Sequence, residues 1–141
     1  MQYRFFNKQK DYDTLCLWWD NWGLPRHPPE ALSSNGIIVS KDGVDMCSGF
    51  LYSTDSYFSW IEFIMMNKQG MKKFPRTQRV ECLEFLGDLL IKRAKQLGFK
   101  LVYAFGVDSQ NNTQPVLTKW RNKNMCDKIN HNMSQYYKII D

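Results

Sequence analysis

Apolar positions recur along this chain with two different periods, and each change of period marks the edge of an element. "YRFF", residues 3–6, reads as a short opening strand. "DYDTLCLWWDNWG" then reads as a helix, in which Asp11 or Asp13 can cap the start and Gly23 suits the left-handed conformation past the end. The proline-rich "LPRHPPEALSS" leaves room only for a helical turn near residues 29–32, and with no low-complexity stretch around it the segment is a connection within one domain. Three strands follow as a meander. "GIIVS" (36–40) leads through the turn Lys41-Asp42-Gly43 to "VDMCSGFLYS" (44–53), and Thr54-Asp55-Ser56 turns the chain into "YFSWIEFIMMN" (57–67). In the third strand simple alternation puts Trp60, Glu62, Ile64 and Met66 on one face and Ile61, Phe63 and Met65 on the other. Both faces are largely apolar, which predicts a central strand covered on both sides, with Glu62 the exception.

The period then changes to that of a helix over residues 77–97. Val80, Leu83, Leu86, Leu90, Ala94 and Leu97 form its apolar stripe, and Asp88 and Lys92 can pair on its outer face. Gly98 and Phe99 predict a Schellman stop. A strand over 100–106, a helix over 114–123 ending at Asn124, a turn at Asn130-His131-Asn132 and a last strand in "QYYKII" complete the pattern. The order predicts an α+β fold, a mixed and mostly antiparallel sheet flanked by helices.

At 141 residues the chain reads as one domain, 1–141. The net charge of +5 matters less than its placement, since Lys68, Lys72, Lys73, Arg76 and Arg79 lie between positions 68 and 79 with no acidic residue among them. A solvated basic loop and an anion site at a helix mouth both fit "FPRTQRVECL" at this point. Trp18, Trp19 and Trp22 cluster on the first helix as core or as partner surface. Cys16, Cys47, Cys82 and Cys126 form no C-x-x-C pair and His27 and His131 add no ligand spacing, so reduced buried thiols and no metal are expected. The first ten residues are polar and no apolar run nears the length of a membrane span, so a cytoplasmic protein is expected.

The strand "WIEFIMMN", the basic loop, Arg79 and the helix end "AKQLGFK" together resemble the GNAT acyltransferases, and are similar to small GNAT-like proteins encoded by tailed bacteriophages. The opening "CLWWDNWGLP" and closing "SQYYKII" fit the same group. The resemblance implies a GNAT-like fold and acetyl-CoA as cofactor. In that fold the third meander strand, here Ile64, Met65, Met66 and Asn67, holds the pantetheine arm through its backbone. The start of the long helix holds the pyrophosphate through a Q/R-x-x-G-x-G/A turn. Registering the helix ends puts residues 78–83 on that turn, with Gln78 matching and Glu81 and Leu83 in place of the small residues. Lys72, Lys73, Arg76 and Arg79 would then supply the attraction by side-chain contact. Asn112 falls in the segment that matches the family's N-x-x-A, with Pro115 in the alanine place.

Acetyl transfer to an amine needs a base and a proton for the departing thiolate. The resemblance points to Glu62 as base, and its apolar neighbours Trp60 and Ile64 predict a desolvated carboxylate; pairing with a nearby Lys or Arg, or a solvated edge, is the structural alternative. Trp120 stands where the family has its acid, a tyrosine, so the proton would come from Tyr103, from another hydroxyl or from solvent. Three functions follow. One is an N-acetyltransferase acting on an amine, including one on a host or viral protein, in the host cytoplasm or with the virion. A second is a catalytically inactive GNAT-fold protein acting by protein–protein contacts. A third, nucleic-acid binding through the basic loop with Lys119, Arg121 and Lys123, lacks any recognisable motif. Monomer and homodimer are equally compatible with the chain.

Overall fold

The computed structural model describes residues 1–106, 127–130 and 134–140. Asn112, the helix expected over 114–123, Asn124, Cys126 and the turn residues His131 and Asn132 lie outside them, as do Lys119, Trp120 and Arg121. Among the described residues seven strands form one sheet: β1 (Gln2–Phe5), β2 (Asn35–Lys41), β3 (Val44–Ser53), β4 (Phe58–Met66), β5 (Leu101–Gly106), β6 (Asp127–Asn130) and β7 (Ser134–Ile139). Their spatial order is β1-β2-β3-β4-β5-β7-β6. All neighbours are antiparallel except β4 and β5. The sheet therefore has the mixed, mostly antiparallel character that the sequence predicts. Strand β6 is the one that the sequence reading omits, because the four residues DKIN carry no apolar alternation.

Helix α1 (Lys8–Trp22) lies on one face and α3 (Arg76–Gln96) on the other, with a single helical turn, α2 (Lys68–Met71), between β4 and α3. Leu86 and Leu90 of α3 share a core with Ile37, Val39, Met46, Cys47, Leu51 and Ile61. Leu15, Trp18 and Trp19 of α1 share another with Phe6, Ile38, Phe50 and Met65. Strand β4 is thus covered on both faces, as its apolar pattern requires. The tryptophan cluster divides: Trp18 and Trp19 are core, whereas Trp22 is 40% exposed.

Local signals explain most boundaries. Asp42 and Gly43 both take positive φ between β2 and β3, the two-residue hairpin turn that their sequence favours. Helix α3 ends as a Schellman motif: Phe99 N–H donates to Ala94 O and Gly98 N–H to Lys95 O, with Gly98 at φ +87. Leu97, expected in the apolar stripe, is instead the exposed C-cap, and Phe99 folds inward in its place.

The start of α1 differs from expectation. Its cap is Asn7, whose side-chain oxygen accepts from the amides of Gln9 and Lys10, so the helix begins before Asp11. Asp11 is buried in the first turn, where it accepts from Asn7 N–H at 2.8 Å and from Arg4 at 2.9 Å. Arg4 also makes a bidentate pair with Asp45 at 2.7 and 2.8 Å, and the Ser40 hydroxyl donates to Asp45 at 2.6 Å.

Burial alone would raise the Asp45 carboxyl, but hydrogen bonds from Arg4 and Ser40, with the Arg4 charge, hold it below its ordinary value. A depressed carboxyl stabilises the fold above its unfolded pKa of about 3.9, and the contribution is lost as pH falls through the lower folded value. Thermal unfolding followed below about pH 4 should therefore show a steeper loss of stability for the native chain than for Asp45→Asn. Equal slopes would mean that the Arg4–Asp45 pair contributes nothing.

Candidate active site

The site begins with a phase change in β4. Ser48 stands opposite Met65 and Phe50 opposite Glu62, so Gly49 alone faces both Phe63 and Ile64. This is a β-bulge, and Phe63 at its centre takes φ +51, an unusual conformation for a bulky residue. The simple alternation over β4 is therefore corrected. Glu62 and Phe63 both lie on the α1 side, Ile64 moves to the α3 side, and Met65 returns to the α1 side. Gly49 suits the close approach of α3: a Cβ there would come 3.0 Å from Leu90 Cδ1 and 3.3 Å from Leu86 Cδ2, so those side chains would have to give by a few tenths of an ångström.

The bulge coincides with the parting of two strands. β4 and β5 pair only from Phe58–Leu101 to Ile61–Ala104, although β4 continues to Met66 and β5 to Gly106. The carbonyl of Tyr57 faces β5, where it accepts from Lys100 at 2.8 Å, while the amide of Asn67 faces β3 and donates to Met46 O at 2.8 Å. Unbroken alternation would direct these two odd-numbered residues to the same side; the extra residue at the bulge reverses them. The backbone groups of Ile64 and Met66 are thereby turned toward the gap. The carbonyl of Met66 accepts from Trp22 Nε1 at 2.7 Å, so the end of α1 reaches over the end of the strand. Lys68 lies 4.9 Å from the centre of the Trp22 ring and donates to Asn21 O at 3.1 Å, fixing that contact.

Glu62 is exposed on β4. It is not enclosed between Trp60 and Ile64, since the bulge carries Ile64 to the opposite face. Tyr103 is half-buried on β5, beside Trp60 in register and 5.5 Å from Phe58 in an edge-to-face contact. It shares the α1-side face with Glu62 and stands one row short of it. Met65 is core, and Ile64 is 38% exposed. Asn67 is committed to structure: its side chain accepts from Gly70 N–H at 3.0 Å and donates to Asp45 O at 2.7 Å, which caps α2.

The mouth of α3 lies beyond α2. Pro75 is its N-cap and supplies no side-chain acceptor, and no acidic residue occupies the first turn. The amides of Arg76, Thr77 and Gln78 are thus left at the positive end of a 21-residue helix. Lys72, Lys73 and Arg76 are exposed around them. Arg79 donates through Nε to Phe74 O at 2.7 Å, which ties its guanidinium to the turn before the helix. Residues 78–83, registered on a turn from the sequence, lie inside α3: the helix starts at Arg76, and Glu81 belongs to its second turn rather than to the mouth. Among the described residues there is no group of three side chains that could hold a metal ion, and no helix is long and apolar enough to cross a membrane.

No family model and no curated protein sequence matches the chain. Structural similarity is extensive. Ard1 from Thermoplasma volcanium superposes with a TM-score of 0.72 at 10% identity, over 99% of this chain and 97% of that one. An acetyltransferase of the GNAT family from Staphylococcus aureus Mu50 gives 0.70 at 11% identity, over 99% of both chains. YncA from Salmonella typhimurium, a putative acetyltransferase solved with acetyl-CoA, gives 0.63 at 12% identity, over 100% and 94%. Likeness of this extent at so low an identity establishes architecture: this chain has the GNAT fold.

Proposed function

We propose that the protein is an N-acetyltransferase that moves an acetyl group from acetyl-CoA to an amine. The observation that carries this reading is the parting of β4 from β5 at the Phe63 bulge, with Glu62 on the same strand and a basic, uncapped helix mouth beyond its end. The donor set fits the cofactor. The backbone of Ile64 faces the gap and can bond the amides of the pantetheine arm, since Met66 O is already taken by Trp22. The first-turn amides of α3, with Lys72, Lys73, Arg76 and Arg79, suit the pyrophosphate. Acetyl-CoA, when bound, supplies an acyl group activated as a thioester.

Glu62 takes a proton from the acceptor ammonium and passes it to solvent, leaving a neutral amine. A carbon–nitrogen bond then forms as the carbon–sulfur bond breaks, and the second proton lost by nitrogen is balanced by protonation of the leaving thiolate. Tyr103 is the phenol on the same face that we assign to deliver that proton. The proposal extends to an acceptor on a host or viral protein, a step that rests on the resemblance of the sequence motifs alone.

Calorimetric titration with acetyl-CoA tests the reading. Saturable binding is expected, weakened about tenfold in Arg79→Ala, the cost of one charge-assisted hydrogen bond. No heat at millimolar cofactor, confirmed by an unmoved Tm, would overturn it. The second reading, a GNAT-fold protein acting by contact alone, draws on exposed Leu17, Trp22 and Leu24, which stand 60%, 40% and 47% accessible on α1 and just after it.

A further inference from the structure

Around Glu62 the α1-side face of the sheet is built from aromatic rings. Tyr52 and Trp60 stand opposite each other in register and stack, with centroids 5.8 Å apart and planes 9° from parallel. Phe63, turned to this face by the bulge, meets Tyr52 at 6.0 Å and His27 at 4.5 Å. The rings are held in place. The Tyr52 hydroxyl donates to Ala31 O at 2.7 Å, and the Tyr12 hydroxyl donates to His27 O at 2.7 Å, which pins the loop that carries His27. Glu62 emerges between Trp60 and Phe63, next to Tyr52: burial raises the Tyr52 phenol, and the Glu62 charge adds to that rise.

Rings fixed beside an exposed carboxylate are the chemistry that recognises an organic cation. The carboxylate takes the charge and its N–H groups, while the ring faces take the polarised methylenes next to it. A neutral acceptor gains at most a hydrogen bond from Glu62, without the charge attraction, and an anionic one is repelled.

We infer that Tyr52, Trp60, Glu62 and Phe63 form a binding site for a primary alkylammonium, its methylenes along the Tyr52–Trp60 stack and its nitrogen at Glu62. This inference rests on the acyltransferase reading for calling that amine the acceptor. Its binding is a separate property. The shared chemistry is a free alkylamine or a lysine side chain.

Calorimetry on the full chain without cofactor tests it, using n-butylammonium, Nα-acetyl-lysinamide and n-butanol as probes. The two ammonium compounds are expected to bind, the butanol not, and the tighter of the two names the source. Glu62→Gln and Trp60→Leu should each weaken ammonium binding about tenfold. Circular dichroism confirms that both variants fold.

Equal affinity for butanol, indifference to both Glu62→Gln and Trp60→Leu, or no binding of either ammonium would overturn the inference. Acetyl-CoA binding without ammonium binding overturns this proposal alone. Ammonium binding without acetyl-CoA binding removes the acyltransferase reading and leaves an amine-binding site.

Discussion

Glu62→Gln is expected to lower kcat for acetyl transfer on the order of 10²–10⁴-fold, the usual contribution of a positioned general base. The substitution keeps the shape and the hydrogen-bonding oxygen of the side chain but removes its ability to take a proton. Because Glu62 is exposed, stability should stay within about 0.5 kcal/mol of the native chain, so lost activity will not reflect lost fold. Acetyl-CoA affinity should also be unchanged, since the groups assigned to it lie further along β4 and at the mouth of α3. The measurement is steady-state acetyl transfer at saturating cofactor, beside calorimetric titration of the same preparation. Activity retained within about threefold would remove Glu62 from catalysis, and would favour a neighbouring group or solvent as the base.

The position of that residue shows what the sequence could and could not supply. Glu62 stood out because it is the only charged residue in an apolar strand, and that contrast survives in the structure. Its surroundings did not, because a period-two pattern has no means of registering one extra residue. The bulge at Phe63 moves Ile64 to the other face and opens the carboxylate to solvent. A signal was present in the partner strand: Gly49, a glycine inside an otherwise apolar run, marks a bulge or a close approach, and here it marks both.

Reading Gln78 to Leu83 as a turn failed for a different reason. Both ends of α3 are legible, the stop in Gly98 and Phe99 and the start within one residue of Thr77. Registering the family's turn from the helix end set it on residues 78–83, which the helix already includes. Its Pro75 cap leaves no side-chain signature of the kind that Ser or Asp provides. Trp22 was grouped with its neighbours as core or partner surface, and its bond to Met66 O joins residues 44 apart in sequence, beyond any local pattern.

The largest effect on stability is expected from Phe50→Ala, at about 3–5 kcal/mol out of the roughly 5–15 kcal/mol that holds a domain of this kind folded. Phe50 is fully buried on β3, register partner of Glu62, with its ring edge-to-face against Phe6 at 5.0 Å. What lies beneath the ring decides the size of the loss. A Cβ placed on Gly36 would come 2.5 Å from Phe50 Cε1 and 2.8 Å from Phe6 Cβ, so the ring rests directly on the backbone of β2. Alanine would leave a void floored by that backbone, which is held in the β2–β3 ladder and cannot collapse into it. The cost should therefore fall in the upper part of the range, whereas Phe50→Leu, which refills most of the space, should cost roughly 1–2 kcal/mol. Urea unfolding reads both, as a lower midpoint with an unchanged slope. A loss below about 1.5 kcal/mol for Phe50→Ala would mean that Phe6 or Met65 can move into the space, and that the α1-side core is less tightly determined than its contacts require.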